Sequence, residues 1–329
     1  MCLKSSLRRD SRSNIDPAED ARRLATIKIV MIQYIYLGRM DYGEALRLQQ
    51  ELVALRTEGR IGNVLLLLEH PPVLTLGRNA SRANILASDE LLAARGVTLH
   101  DINRGGDVTY HGPGQLIGYP IFDLRSLRNA SGNRLGPVDF VRLMEEALIR
   151  VCGELGVPTG RICGLTGVWC HLRWGSPLEE SCGRAAKDLP AGERKIAAIG
   201  IHVARGVTSH GFAFNVTTNL DDFRMINPCG ITDRPVTSLA LEVSDPAALP
   251  TLEDLAERAV RQFGLVFGEP VEMLESLAAL RSPVQTVAAA ALESPAQEFP
   301  AEDTPLQVPP EIERLRQLPR PVKDRTMLA

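Results

Sequence analysis

Arg104-Gly105-Gly106-Asp107-Val108-Thr109-Tyr110-His111-Gly112-Pro113-Gly114-Gln115 sets an arginine, an aspartate, a tyrosine and a histidine among five glycine or proline residues. Gly105 and Gly106 permit backbone conformations closed to other residues and let the main chain approach a neighbour closely. Gly112-Pro113-Gly114 makes a rigid turn. Between them Val108-Thr109-Tyr110 is a short strand-like run. A tight structural hairpin would explain the glycines alone. The stiff polar character points further, to something that sits against this segment.

Upstream, Ile27 to Leu37 is a nearly continuous apolar, β-branched run that reads as a buried strand. Asp41 caps a helix whose stripe is Tyr42, Ala45, Leu46, Leu52 and Val53, with Gly59 near its stop. Asn63 to Glu69 is a second buried strand, broken by His70-Pro71-Pro72, and Val73 to Leu76 resumes strand character. The pattern then predicts a helix over 85–95 and a strand over 97–102 leading into the glycine stretch. Downstream come a strand at 116–124, a helix at 138–155 opened by Pro137 and closed by Gly156, and a short strand at 166–171. Residues 172–193 are hydrophilic and read as a surface loop. Lys195–Ala204 and Thr208–Asn215 are strands joined by Arg205-Gly206, a hairpin signal. Residues 220–225 read as a loop or short helix, 252–263 as an amphipathic helix and 271–280 as another. Strands outnumber helices and several are consecutive. This implies an α+β fold, a mixed and mostly antiparallel sheet with helices packed on it.

The chain has 329 residues, 44% apolar and 23% charged, with net charge −3. That is an ordinary globular composition, without a nucleic-acid footprint or an apolar run of membrane-spanning length. Residues 1–27 are polar, lack an apolar leader segment and read as a disordered arm; Met31 offers an alternative start. From 281 to 329 eight prolines alternate with charges, which reads as a disordered tail. The folded domain is therefore expected over 28–280. Six irregularly spaced cysteines read as reduced thiols in a cytoplasmic protein.

Cys229 differs from the others because it lies between a proline and a glycine in a polar turn, whereas Cys152 lies in an apolar run. A reactive cysteine needs exposure and a nearby cation or base. Lys195, at the head of Lys-Ile-Ala-Ala-Ile-Gly200, could be that group, taking the thiol proton and stabilising the thiolate. The bland alternatives are a packed small residue and a strand-end lysine in water. His70, His111 and His210 sit beside turns, and nothing in their spacing selects one as a base. Cys163, Cys170, His171 and Cys182 match no zinc spacing, so no metal is expected.

Taken together, six stretches in this order resemble the lipoyl(octanoyl) transferase family: Glu69–Arg78, Arg104–Gln115, Thr166-Gly-Val-Trp169, Lys195–Gly200, Ser209–Asn215 and Ile226-Asn-Pro-Cys-Gly230. The resemblance covers residues 30–270. It implies a fold related to biotin and lipoate protein ligases. It also implies transfer of an octanoyl group from octanoyl-acyl carrier protein to a lysine of lipoyl domains, such as those of 2-oxo acid dehydrogenases and the glycine cleavage H protein. No cofactor and no ATP are implied. By the same resemblance Cys229 is the nucleophile and Lys195 its proton partner. The acyl and thioester site would be lined by Arg104, Gly105, Gly106, Asp107, Val108, Thr109, Tyr110 and His111, by Ala198, Ile199 and Gly200, and by Gly211, Phe212 and Ala213. Ile196, Ile199, Phe212 and Phe214 could supply an apolar slot for the chain. An ATP-dependent ligase is the competing reading; such an enzyme needs no catalytic cysteine, and the Cys229–Lys195 pairing favours the transferase.

Overall fold

The computed structural model describes residues 31–129, 131–170, 192–227 and 234–281. Strands β1 (Ile32–Arg39), β2 (Asn63–Glu69), β3 (Val73–Leu76), β4 (Thr98–Asp101), β5 (Val108–His111) and β6 (Gln115–Ile121) precede β7 (Thr159–Ile162), β8 (Leu165–Cys170), β9 (Arg194–Ala204), β10 (Val207–Asn215) and β11 (Val271–Met273). Helices α1 (Tyr42–Thr57), α2 (Asp89–Ala94), α3 (Pro137–Glu154), α4 (Leu239–Glu242) and α5 (Leu252–Phe267) lie between them. Eight strands form one sheet in the order β11-β1-β2-β6-β10-β9-β8-β7, and β4-β3-β5 form a second. Pairing is parallel at β11-β1-β2 and at β3-β4 and antiparallel elsewhere. The mixed, mostly antiparallel α+β architecture is the one the strand-rich sequence implies.

The large sheet is covered on both faces. β2 is buried at all seven positions, as a continuous apolar strand must be when both faces are packed. One face packs on α3 and α5, where Phe140, Met144, Leu148, Phe263 and Phe267 meet Leu65, Leu67, Phe212 and Phe214. The other face carries α1, with Ala45 and Leu52 against Leu66, Leu68, Ile117 and Ala213. Asp41 caps α1 by accepting a hydrogen bond from the Glu44 N–H. In the hairpin between β9 and β10, Arg205 and Gly206 have φ of 52° and 85°. Positive φ at both central residues fits a tight two-residue connection whose twist matches the strands.

Three elements depart from the sequence expectation. The helix expected over 85–95 begins only at Asp89, behind a Ser88 cap. Leu86 and Ala87 instead donate both their N–H groups to Met225 O, at 2.8 and 3.1 Å. The helix expected over 271–280 is absent: Val271–Met273 is β11, followed by a 3-10 turn at Ala279–Arg281. The chain leaving α5 meets the open edge of β1, where Pro270 O accepts from Ile32 N–H at 2.9 Å and Leu274 N–H donates to Tyr34 O at 2.8 Å. Satisfying that edge prevails over a weak local helical stripe. Finally, β7 has no apolar alternation, and its strand form follows from its pairing with β8. The 172–193 loop, the N-terminal arm and the proline-rich tail fall almost wholly outside the described residues.

Candidate active site

The glycine loop is held on two sides. At the end of β3, Gly77 N–H donates to Asp107 O (3.2 Å), Arg78 N–H to Arg104 O (3.0 Å) and Asn79 N–H to Gly106 O (3.2 Å). Opposite, Gly105 N–H donates to Ile201 O at 2.9 Å. β8 pairs with β9 only as far as Ala197, and the loop docks on β9 just past that point. A Cβ on Gly200 would stand 2.9 Å from Gly105 O, so glycine there makes the close approach possible. Ala198, Ile199 and Gly200 are half-buried along this stretch.

The charged and polar members of the loop divide by role. Arg104 is buried and fastens the loop to β3: its Nη2 donates to Thr75 O and Thr75 Oγ1, at 2.8 and 2.9 Å. The Asp107 carboxylate accepts from Asn84 Nδ2, from Ser81 N–H and from Val108 N–H. It therefore holds the 79–84 turn. Tyr110 donates to Asp222 Oδ2 at 2.9 Å, and its ring packs on Phe223 at 5.5 Å. Burial raises its pKa. Val108 is core, while Thr109 is half-buried opposite Thr75.

His111 begins a hydrogen-bonded chain that reaches the main chain of Lys195. Its Nδ1 lies 2.8 Å from Gln115 Oε1. Gln115 Nε2 donates to Asn215 Oδ1 (2.8 Å), so the glutamine oxygen is the acceptor and His111 Nδ1 carries the hydrogen. Asn215 Nδ2 donates to Thr237 O (2.9 Å), and Thr237 Oγ1 to Glu242 Oε1 (2.6 Å). The Glu242 carboxylate also accepts from Arg194 Nε and Nη2, at 2.8 and 2.9 Å. Thr237 N–H donates to Lys195 O and Lys195 N–H to Pro235 O, at 2.8 and 2.9 Å. Gln115, Asn215 and Thr237 had no role in the sequence reading. Gln115 and Asn215 end two of the quoted stretches, and that position was the available signal.

His70 and His111 form a buried ring cluster with Tyr42, at centroid separations of 5.1 to 6.2 Å. His70 Nδ1 donates to Met40 O (2.7 Å), which leaves Nε2 to accept from Tyr119 O–H at 2.8 Å. Burial lowers the pKa of His70 to about 4 and of His111 to about 3. His210 Nε2 lies 2.7 Å from Asn103 Oδ1, and burial with the nearby Arg104 charge lowers its pKa to about 4. All three are neutral at pH 7.

Lys195 is half-buried, with Nζ 4.6 Å from the centroid of the Trp169 ring. Cys229 lies outside the described residues. Its flanks do not: Asn227 N–H donates to Asn84 O at 2.7 Å, and Pro235 to Thr237 pair alongside Lys195. Burial raises the Cys152 thiol to about 12 and raises Cys170 as well. Both are protonated, packed thiols, as the apolar setting of Cys152 suggested. Three of the four side chains expected to form an apolar slot lie in the core. Ile196, Phe212 and Phe214 are core side chains beneath α3 and α5, with Phe212 packed 5.7 Å from Phe263, and half-buried Ile199 packs against the same cluster. Ile196, Phe212 and Phe214 are buried and have no open face to offer a chain, whereas Ile199 keeps part of its surface exposed. Ala213 packs on the opposite face, towards α1. Gly211 faces Gly118 and Pro120.

Comparison with known proteins gives one answer. A family model of the lipoyl protein ligase A/B catalytic domain matches residues 41–264. An octanoyltransferase of Acidobacterium capsulatum is 57% identical over 251 residues, spanning 75% of this chain and 94% of the relative. One from Koribacter versatilis is 52% identical over 247 residues, spanning 75% and 88%. Among solved structures, a bi-partite lipoate protein ligase from Thermoplasma acidophilum superposes with a TM-score of 0.50 at 15% identity, covering 75% of this chain and 86% of that one. That last likeness is one of fold. The extent and identity of the octanoyltransferase matches decide the narrower assignment: this chain belongs to the octanoyltransferase family, built on the lipoyl protein ligase A/B catalytic domain.

Proposed function

We propose that this acyltransferase takes its octanoyl group from octanoyl-acyl carrier protein, carries it as a thioester on Cys229 and delivers it to a lysine of a lipoyl domain. The observation that carries this reading is the tethering of the Cys229 segment. Its downstream flank is hydrogen-bonded to both backbone groups of Lys195, and its upstream flank to Asn84 beside the glycine loop. The buried, protonated thiols of Cys152 and Cys170 are poor competitors as nucleophiles.

In this mechanism the Cys229 thiolate attacks the donor carbonyl, with Lys195 holding the proton taken from the thiol. The donor thiolate leaves and receives that proton. The neutral acceptor lysine amine then attacks the acyl-Cys229 carbonyl, the acyl C–S bond breaks to release the Cys229 thiolate, an amide forms, and Lys195 takes the proton released from nitrogen. Exchange between thioesters is nearly isoenergetic, and the amide lies lower, so no nucleotide and no cofactor enters. Gly105 N–H is already bonded to Ile201 O, so oxyanion donors must come from elsewhere in the site. The catalytic domain spans residues 28–280 and works in the cytoplasm. No helix among the described residues is long and apolar enough to cross a membrane.

The test is intact mass after mixing with octanoyl-acyl carrier protein. Wild type is expected to gain one octanoyl group that hydroxylamine, or an acceptor lipoyl domain, removes. Cys229→Ala should gain nothing and transfer nothing. Lys195→Ala should slow transfer by about 100-fold or more, the range for loss of a general base. Transfer by Cys229→Ala would overturn the covalent route, and ATP-dependent activity on free octanoate would favour the ligase.

A further inference from the structure

We propose that the Thr166-Gly-Val-Trp169 segment of β8, braced by Glu145, is the positioning device for Lys195, with the Trp169 indole face holding the ammonium group. This rests on the reading that Lys195 and Cys229 act as a pair. Trp169 and Lys195 are cross-strand partners on β8 and β9, beside an irregularity in the register between Val168 and Trp169. Cross-strand partners point to the same face, and Lys195 Nζ lies 4.6 Å from the ring centroid. That is cation–π range, and the electron-rich ring face attracts the ammonium directionally.

Two further features shape the cradle. Gly167 has φ of 123°, and a Cβ there would stand 2.5 Å from Ala197 O and 3.5 Å from Lys195 Cε. The lysine stem therefore runs past a position that no side chain can share. Beneath this stretch of β8, Glu145 on α3 is fully buried. Its Oε1 accepts from Gly167 N–H at 2.9 Å, and its Oε2 from Arg142 Nη1 and Arg161 Nε, at 2.6 and 3.1 Å. The helix α3 and both strands of the β7–β8 hairpin are thus locked together under the lysine. The Trp169 indole N–H is buried without a hydrogen-bond partner among the described residues. A phenylalanine would fill most of the space without that cost. The broad π face is what tryptophan adds.

The readout is the pH dependence of iodoacetamide alkylation at Cys229, followed by mass on the Cys229 peptide of the full-length enzyme, together with kcat and KM for octanoyl transfer. Lys195→Ala should move the alkylation midpoint upward. Trp169→Leu should move it in the same direction and lower kcat about tenfold with KM within twofold. Trp169→Phe should lose threefold or less. Because Trp169 is buried, a gentler series accompanies these variants: mono-, di- and trifluorotryptophan incorporated in a Trp174→Phe background, in which fluorine weakens the ring face with little change of shape. The midpoint should climb stepwise along that series. A flat series, or a Trp169→Leu midpoint equal to wild type while Lys195→Ala shifts, overturns the cradle and leaves the pair intact. A Lys195→Ala midpoint equal to wild type overturns the pair itself.

Discussion

Lowering the pH from 7 to 5 is expected to remove several kcal/mol of folding stability, through three histidines that the fold buries in the neutral form. His70, His111 and His210 have folded-state pKa values lowered to about 4, 3 and 4, with burial the first cause in each. In the unfolded chain each titrates near 6.5. Between those values the unfolded state binds more protons than the native state, so stability rises with pH there. The contribution is complete above about 6.5 and is lost as the pH falls towards 4. At pH 5 each group costs about 2 kcal/mol, which sets an upper bound of about 6 kcal/mol for the three together. A domain of ordinary stability holds only 5–15 kcal/mol in all. Glu269 works the other way, because burial raises its carboxyl to about 7 and acid then favours the folded form. Asp123, Glu146 and Glu242 have pKa values lowered from the ordinary carboxylate range, so their contributions are lost only at lower pH. Urea unfolding at pH 7, 6 and 5 checks this, with His111→Gln and His210→Asn each flattening the slope. A midpoint that does not move between pH 7 and 5 would mean that these rings are hydrated or paired in a way that tolerates charge.

Those histidines also show where the sequence was legible. Their positions beside turns were plain, but their roles depend on neighbours far along the chain: Met40 and Tyr119 for His70, Asn103 for His210. The same split runs through the fold. β2, the β9–β10 hairpin and α3 were readable because apolar runs and Gly or Pro punctuation are local signals. β7 and β11 were not, since an edge strand is decided by the partner it meets. At the site, the stiffness of residues 104–115 was visible, and so was the apolar packing of Cys152. What local pattern could not reveal was direction. Asp107 turns to Asn84, Tyr110 to Asp222 and Phe212 into the core, because the helices and turns that claim them come from other parts of the chain.

Gly211→Ala is expected to act through the fold before it acts on the acyl group. A Cβ at this position would overlap the Gly118 carbonyl oxygen, and it would come within 2.6 Å of Pro120 Cδ. Gly118 cannot retreat: the Phe212 ring occupies the space where its own Cβ would be, and Phe212 is wedged on Phe263 under α5. β6 and β10 are central strands, so neither can move outward without disturbing β2 or β9. Overpacking of this kind costs about 3 kcal/mol, at the upper end of the usual range because backbone rather than a flexible side chain must yield. For a domain of this size that lowers the melting temperature by roughly 6–12 °C. Calorimetry, together with transfer rate per folded molecule, separates the two roles open to Gly211. A lowered melting temperature with a near-normal rate in the surviving folded fraction makes it a packing residue, required where the paired strands β6 and β10 leave no room for a side chain. An unchanged melting temperature with a reduced rate would instead place it against the acyl group, and the close β6–β10 approach would then have to relax at no cost.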